Sequence, residues 1–167
     1  MAVRIGETMI QLGLLREEQV EAILESQRDL HRPFGEIAEK MFGLSESDVE
    51  HAWSKQYAQI AEQIDPTDMA VDAWAASLID RRQAWQFRIL PIRRDGAEVM
   101  VATTAEHLAR AMRFALRMLR EPCYFVIAEE RALGEALCRH FPMPGMTPEH
   151  VSRGTMRTRF GGGNAAA

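Results

Sequence analysis

Two stretches of the chain decide its fold: RIGETMIQLGLLREEQVEAILESQ, residues 4–27, and PFGEIAEKMFGLSESDVEHAWSKQ, residues 33–56. They align without a gap at a period of about 29 residues, so the sequence contains an internal repeat. A repeat of this length predicts two copies of one supersecondary unit that bury their apolar faces on each other. The identical pairs are Gly6/Gly35, Glu7/Glu36, Glu17/Glu46, Val20/Val49, Glu21/Glu50 and Gln27/Gln56.

Each copy is predicted to form a helix–turn–helix hairpin. Apolar residues recur at helical spacing on both sides of a break, and Gly13 and Gly43 at the breaks are typical of helix C-caps. Ser45 and Asp48 have the spacing of a capping box, and Pro33 suits a first helical turn. Residues 1–60 are therefore expected to form a helical subdomain of about four helices, with residues 28–32 as a polar connector.

The pattern changes in residues 61–141, which are predicted to form an α+β subdomain. A turn-rich connector near Asp65 leads into a helical stretch at 72–85. Residues 87–93 and 98–104 flank an Asp95-Gly96 turn and predict an antiparallel hairpin. A helix at 105–120, a strand at 123–128 and a helix at 129–140 complete a small α/β sandwich with a three-stranded sheet. Residues 142–167 are expected to be a flexible tail.

Composition and net charge exclude several classes of protein. The formal net charge of −4 argues against a protein that binds nucleic acid over its whole surface. The sequence has neither a signal-peptide pattern nor an apolar run long enough to span a membrane, so we expect a cytoplasmic protein without direct membrane insertion. The two cysteines, Cys123 and Cys138, are expected to be free and mostly buried.

The sequence contains no familiar catalytic motif. Phosphate-loop, zinc-helix and nucleophile-elbow patterns are absent, and the five histidines lack metal-ligand spacing, so neither an enzyme nor a metal site is expected. Arg110, Arg113, Arg117 and Arg120 share one helical face, which is either a solvated surface or a site for an anion or partner. Arg81, Arg82 and Trp85 form a cluster that either packs the helix or stacks on a base.

The repeat resembles the tandem motif of the MshEN domain, the N-terminal domain of type II secretion and type IV pilus assembly ATPases. The resemblance continues through Asp65-Pro66, the helix at 81–85 and the segment 87–104, and reaches about His140. In the first copy, the residues that occupy the family's motif positions are Arg4, Ile5, Gly6, Met9, Ile10, Gly13, Leu14, Leu15, Val20, Leu24 and Gln27.

Better-known members of that family bind cyclic di-GMP, and the resemblance implies the same ligand here. In this interpretation the Arg4 guanidinium forms paired hydrogen bonds to a guanine edge or a phosphate. Gly6 leaves room for the ligand, and Ile5 and Met9 pack on the two faces of a base. The second copy has Pro33 at the arginine position, with Arg32 beside it as a replacement. The expected ligand-binding residues are Arg4, Ile5, Gly6, Met9, Gly13, Gln27, Arg32, Phe34, Gly35 and Gln56.

Two functions follow from the resemblance. The first is a non-enzymatic regulatory module, a cyclic di-GMP receptor or adaptor linked to type II secretion or pilus-like machinery. The alternative is a pure protein-interaction adaptor that binds no nucleotide. Because the sequence stops without an ATPase domain, the expected protein partner is a separate ATPase or another secretion or pilus component.

Overall fold

The first half of the chain folds into the four helices that the repeat predicts. A computed structural model describes residues 4–152. The helices are α1 (Ile5–Gln11), α2 (Glu17–Leu30), α3 (Phe34–Phe42) and α4 (Glu46–Ile60). Gly13 and Gly43 take positive φ angles of 70° and 68° at the two turns, a conformation that favours glycine. At the start of α4, the Asp48 backbone N–H donates to Ser45 Oγ over 3.1 Å, as a capping box requires.

The two copies exchange their helix partners. Helix α1 of the first copy packs mainly on α4 of the second, and α2 of the first copy packs mainly on α3 of the second. The apolar faces meet in one cluster that includes the buried side chains of Met9, Ile23, Phe34 and Ile37. Neither hairpin is therefore a self-contained unit.

The second half is a mixed sheet covered by short helices. Helices α5 (Ala73–Ala76) and α6 (Arg81–Phe87) precede the hairpin β2 (Leu90–Asp95) and β3 (Glu98–Thr103), and α7 (Leu108–Met118), β4 (Cys123–Ala128) and α8 (Glu130–His140) follow. Strands β2 and β3 are antiparallel and β3 and β4 are parallel, so the predicted hairpin is confirmed. The α+β fold class, with a helical repeat before a small sheet, is confirmed as well.

The sheet has four strands in place of the three expected. Strand β1 (Gln63–Ile64) pairs in parallel with the end of β4, which gives the order β1-β4-β3-β2. Two residues in a turn-rich connector carry no alternating pattern, so nothing in the sequence marks this strand. A single 3₁₀ turn, Pro66–Asp68, follows it.

Two helical predictions also need correction. The stretch 72–85 is divided into α5 and α6, and Asp80 caps the second helix by accepting from the Gln83 backbone N–H over 2.8 Å. The expected connector at residues 28–32 is shorter, because α2 continues to Leu30 and ends at His31, whose φ is 51°.

Part of the expected flexible tail is folded. Residues 149–152 form helix α9 (Glu149–Ser152), which packs on α8 and fully buries Val151. The Arg88 guanidinium donates to the carbonyls of Trp85 and His150, the latter over 2.9 Å, and so ties this segment to α6. The rest of the predicted tail, residues 153–167, lies outside the described residues.

The two halves meet along α4. Tyr57 Oη accepts from the backbone N–H of Phe125 in β4 and donates to its carbonyl, each over 3.3 Å. Glu50 pairs with Arg113 of α7 over 2.6 Å. Within residues 4–152, no helix has the length and apolar character needed to cross a membrane.

Candidate functional site

The glycine of each repeat copy lies against the valine of the same copy. A Cβ atom built on Gly6 would lie 2.7 Å from Val20 Cγ1, and one built on Gly35 would lie 2.6 Å from Val49 Cγ1. Both distances are below van der Waals contact, so each glycine allows the first helix of its copy to approach the second. Phe34 Cζ lies 3.4 Å from the same built Cβ of Gly6, which places the start of α3 beside the start of α1.

A cavity of about 440 Å³ opens beside the start of α1. Arg4, the residue before α1, lines it together with side chains from the last two turns of α2 and the residue that ends this helix. Those side chains are Leu24, Gln27, Arg28 and His31. Two guanidinium groups, an imidazole and an amide thus surround one space, and Leu24 adds an apolar wall. This set of groups suits an anion that also carries an apolar or aromatic part.

Gln27 connects this cavity to the second copy. Its Nε2 donates to the Arg32 carbonyl over 2.9 Å, so the end of α2 is held to the residues that lead into α3. The Arg32 guanidinium pairs with Glu36 over 2.6 Å, and 49% of the Arg32 side chain remains exposed. Hydrogen bonds from Lys40 and Arg32 lower the pKa of the Glu36 carboxyl, which keeps it ionised beside Arg32.

Other residues predicted for the site lie elsewhere. Met9 has no exposed surface and Phe34 is 8% exposed, so both belong to the core of the repeat and present no open face. Gly13 lies in the turn after α1, at the end of the helix opposite Arg4. Ile5 and Gln56 are half-buried at the start of α1 and in the last turn of α4.

Sequence reasoning missed Arg28 and His31 as cavity residues. It assigned them to a connector, whereas α2 carries Arg28 on its last turn and ends at His31. The signal that could have found Arg28 is its position near a helix C-terminus, where basic residues are favoured. His31 has no such signal, because its left-handed backbone conformation depends on the turn into α3.

The described residues outside the cavity lack the arrangement that a metal site requires. In the part of the chain that the structure describes, no three His, Cys, Asp or Glu side chains are placed to hold a metal ion. Cys123 and Cys138 are free thiols, and burial raises the pKa of each, which keeps them protonated. Trp85 is 2% exposed, and its indole N–H donates to the Phe141 carbonyl over 2.8 Å, so it packs the fold.

Comparison with known proteins identifies one family. The MshEN domain family matches residues 57–147, which include the sheet and most of its helices and lie after the tandem repeat. A solved structure described as MshE with cdg is 25% identical, with a TM-score of 0.46, over 83% of this chain and 99% of that chain. No curated protein was found to match.

Proposed function

The chain belongs to the MshEN domain family, and from this premise we propose that it is a non-enzymatic regulatory module that binds cyclic di-GMP. The proposed site is the cavity at the start of α1. One observation carries the proposal: Arg4 and Arg28 share that cavity with Gln27, whose side chain also donates to the carbonyl of Arg32, the residue before the second copy.

The chemistry of the cavity fits this ligand. Cyclic di-GMP carries two phosphodiester anions and two guanines, and guanidinium groups can pair with either by forked hydrogen bonds. Within residues 4–152, neither Arg4 nor Arg28 makes an ion pair, so both charges are available. Leu24, which is 41% exposed, offers an apolar surface for a base.

The two copies contribute unequally in this proposal. Pro33 stands where the first copy has Arg4, and Arg32 already pairs with Glu36. Arg4, Gln27 and Arg28, which line the cavity, would contact the ligand directly, whereas Arg32 would hold Gln27 through its carbonyl. The other residues expected at the site would act indirectly. Ile5, Gly6, Met9, Phe34 and Gly35 would shape the helix starts, whereas Gly13 and Gln56 lie near the opposite ends of α1 and α4.

Calorimetric titration with cyclic di-GMP tests the proposal, with GTP as the control ligand. We expect Arg4→Ala to weaken binding by at least about tenfold, the loss of roughly 1.4 kcal/mol. Arg16→Ala is the matched control, because Arg16 is an exposed arginine that precedes α2 and is not among the residues lining the cavity. Absence of binding heat, or equal losses in the two variants, would contradict the proposal.

A second candidate function is that of an adaptor that binds only protein. Its partner would be a separate ATPase or another secretion or pilus component. The observation that favours it is the contact of Gly6 with Val20 and of Gly35 with Val49. Those contacts account for both motif glycines by helix packing, without a ligand. An adaptor of this kind would give no heat with cyclic di-GMP and would be unaffected by Arg4→Ala in binding its protein partner.

A further inference from the structure

The surface between α4 and α7 exposes large apolar side chains. Trp53 of α4 is 50% exposed and Leu116 of α7 is 86% exposed. Both line a groove of about 240 Å³, together with Val49 and Met112. Apolar side chains that are contiguous and exposed in this way mark an interaction surface more often than single exposed residues do.

Val49, Trp53, Met112 and Leu116 form the apolar strip of this surface, and charges of opposite sign border it. Glu39, Glu46 and Glu50 lie on the side of α3 and α4, and we call them the acidic rim. Arg110, Arg113 and Arg117 lie together on α7, and we call them the basic rim. Glu50 and Arg113 pair with each other over 2.6 Å, whereas the other four rim residues make no ion pair within residues 4–152.

The acidic side chains lie on the α3 and α4 side of the groove and the basic side chains lie on α7, and this arrangement makes the surface self-complementary. A two-fold axis that runs along the apolar strip would place the acidic rim of one molecule opposite the basic rim of another. The strips would then face each other, and both sets of unpaired rim charges would gain partners. An anionic membrane would instead meet the acidic rim and be repelled by it.

We propose that this surface, which is separate from the cyclic di-GMP cavity, binds a second copy of the chain in a symmetric dimer. Trp53 and Leu116 form the centre of the interface, where a few buried side chains, tryptophan prominent among them, contribute most of the binding free energy. The rims favour this orientation, because the reversed face-to-face orientation brings like charges together.

Sedimentation velocity of the full chain over a concentration series tests the dimer. We expect a reversible monomer–dimer equilibrium that Leu116→Ser weakens by at least about tenfold. Leu30→Ser is the matched control, because Leu30 is 55% exposed at the end of α2, outside this surface. A wild-type chain that stays monomeric at every attainable concentration overturns the proposal, as does a dimer that Leu116→Ser leaves unchanged.

Charge reversal provides a stricter test of the symmetry. Glu46→Arg alone and Arg117→Glu alone each place like charges opposite each other twice in the dimer, so each variant should be monomeric where the wild type is dimeric. An equimolar mixture should dimerise again, because every contact in the mixed pair joins opposite charges. Thermal melting checks that both variants are folded; if the folded variants fail to associate on mixing, the two-fold arrangement is wrong.

Discussion

Gly6 shows how a single residue determines a helix spacing. A Cβ built on Gly6 would lie 2.7 Å from Val20 Cγ1. The valine side chain is short and branched, so it has little freedom to move away. We predict that Gly6→Ala lowers the free energy of unfolding by about 1 kcal/mol, measured by urea titration. Overpacking costs roughly 1–3 kcal/mol, and the higher helix propensity of alanine returns about 1 kcal/mol of that cost.

A double-mutant cycle separates this packing effect from a general loss of stability. Val20→Ala removes the methyl group that the new Cβ would meet, so Gly6→Ala should be tolerated in that background. Additive losses in the double variant would show that the contact between the two residues is not the cause.

At the same scale, the family resemblance predicted that Gly6 leaves room for a ligand, and in the structure Gly6 leaves room for the Val20 side chain. The repeat marks Gly6 and Val20 as positions shared by both copies, yet it does not say that they touch. Their contact depends on the angle between α1 and α2, which the packing of all four helices determines. Arg4 was predicted to be a ligand residue, and the structure adds Arg28 beside it through a helix longer than expected.

Among the elements, α9 is held by a close approach at one position of α8. A Cβ on Gly134 would lie 2.6 Å from the Cα of Pro148, which is backbone and cannot rotate away. We predict that Gly134→Ala detaches residues 142–152 and lowers the free energy of opening this segment by about 2 kcal/mol. Hydrogen exchange of the α9 amides measures that opening.

The matched control for this variant is Glu135→Ala, an exposed position on the same helix. It should leave exchange in α9 unchanged, since in the described part of the chain the ion pair of Glu135 is with Arg131 of its own helix, over 3.1 Å. Equal protection of α9 in the Gly134→Ala variant and the wild type would rule out the predicted detachment.

Elements with a periodic pattern were predictable, and those held by distant contacts were not. Strand β4 was predicted at residues 123–128, where the structure has it, because its apolar run is bounded by clear breaks. Helix α9 lies among prolines and depends on Arg88 and Gly134, residues that its local sequence does not reveal. Strand β1 exists because the edge of β4 is available for pairing, which is a property of the finished sheet.

For the whole molecule, buried histidines predict a dependence of stability on pH. His107 is 8% exposed and its Nδ1 lies 2.8 Å from Thr104 Oγ1; burial, and secondarily the nearby charge of Arg88, lowers its pKa below 6.5. Burial also lowers the pKa of His140. The unfolded chain therefore binds more protons than the folded chain in the window below pH 6.5, so the free energy of unfolding falls as the pH drops through it.

Urea unfolding at about pH 7.5 and about pH 5.5 measures this fall without a contribution from the stabilised carboxylates. Glu36, Asp48 and Asp65 have pKa values lowered from 4.5, 3.8 and 3.8, so their stabilisation is lost only in more acidic solution. His107→Asn should reduce the difference between the two pH values. If the variant keeps the full difference, His107 is not its source.

At this scale the sequence predicted two dissimilar halves but not how they join. Tyr57 contacts Phe125 in β4, and Glu50 contacts Arg113 in α7, both far apart in the sequence. Neither pair has a local pattern, because each forms only after the repeat and the sheet have packed together. The exposed surface between α4 and α7 is a product of the same packing.

The exchange of helix partners in the repeat has a consequence for its origin. A single copy would leave much of its apolar surface exposed, because α1 packs mainly on α4 and α2 packs mainly on α3. An ancestor with one motif would have required a second molecule for each helix to pack upon. Gene duplication and fusion would then have converted an association between chains into a contact within one chain, after which the two halves could diverge, as Arg4 and Pro33 have done.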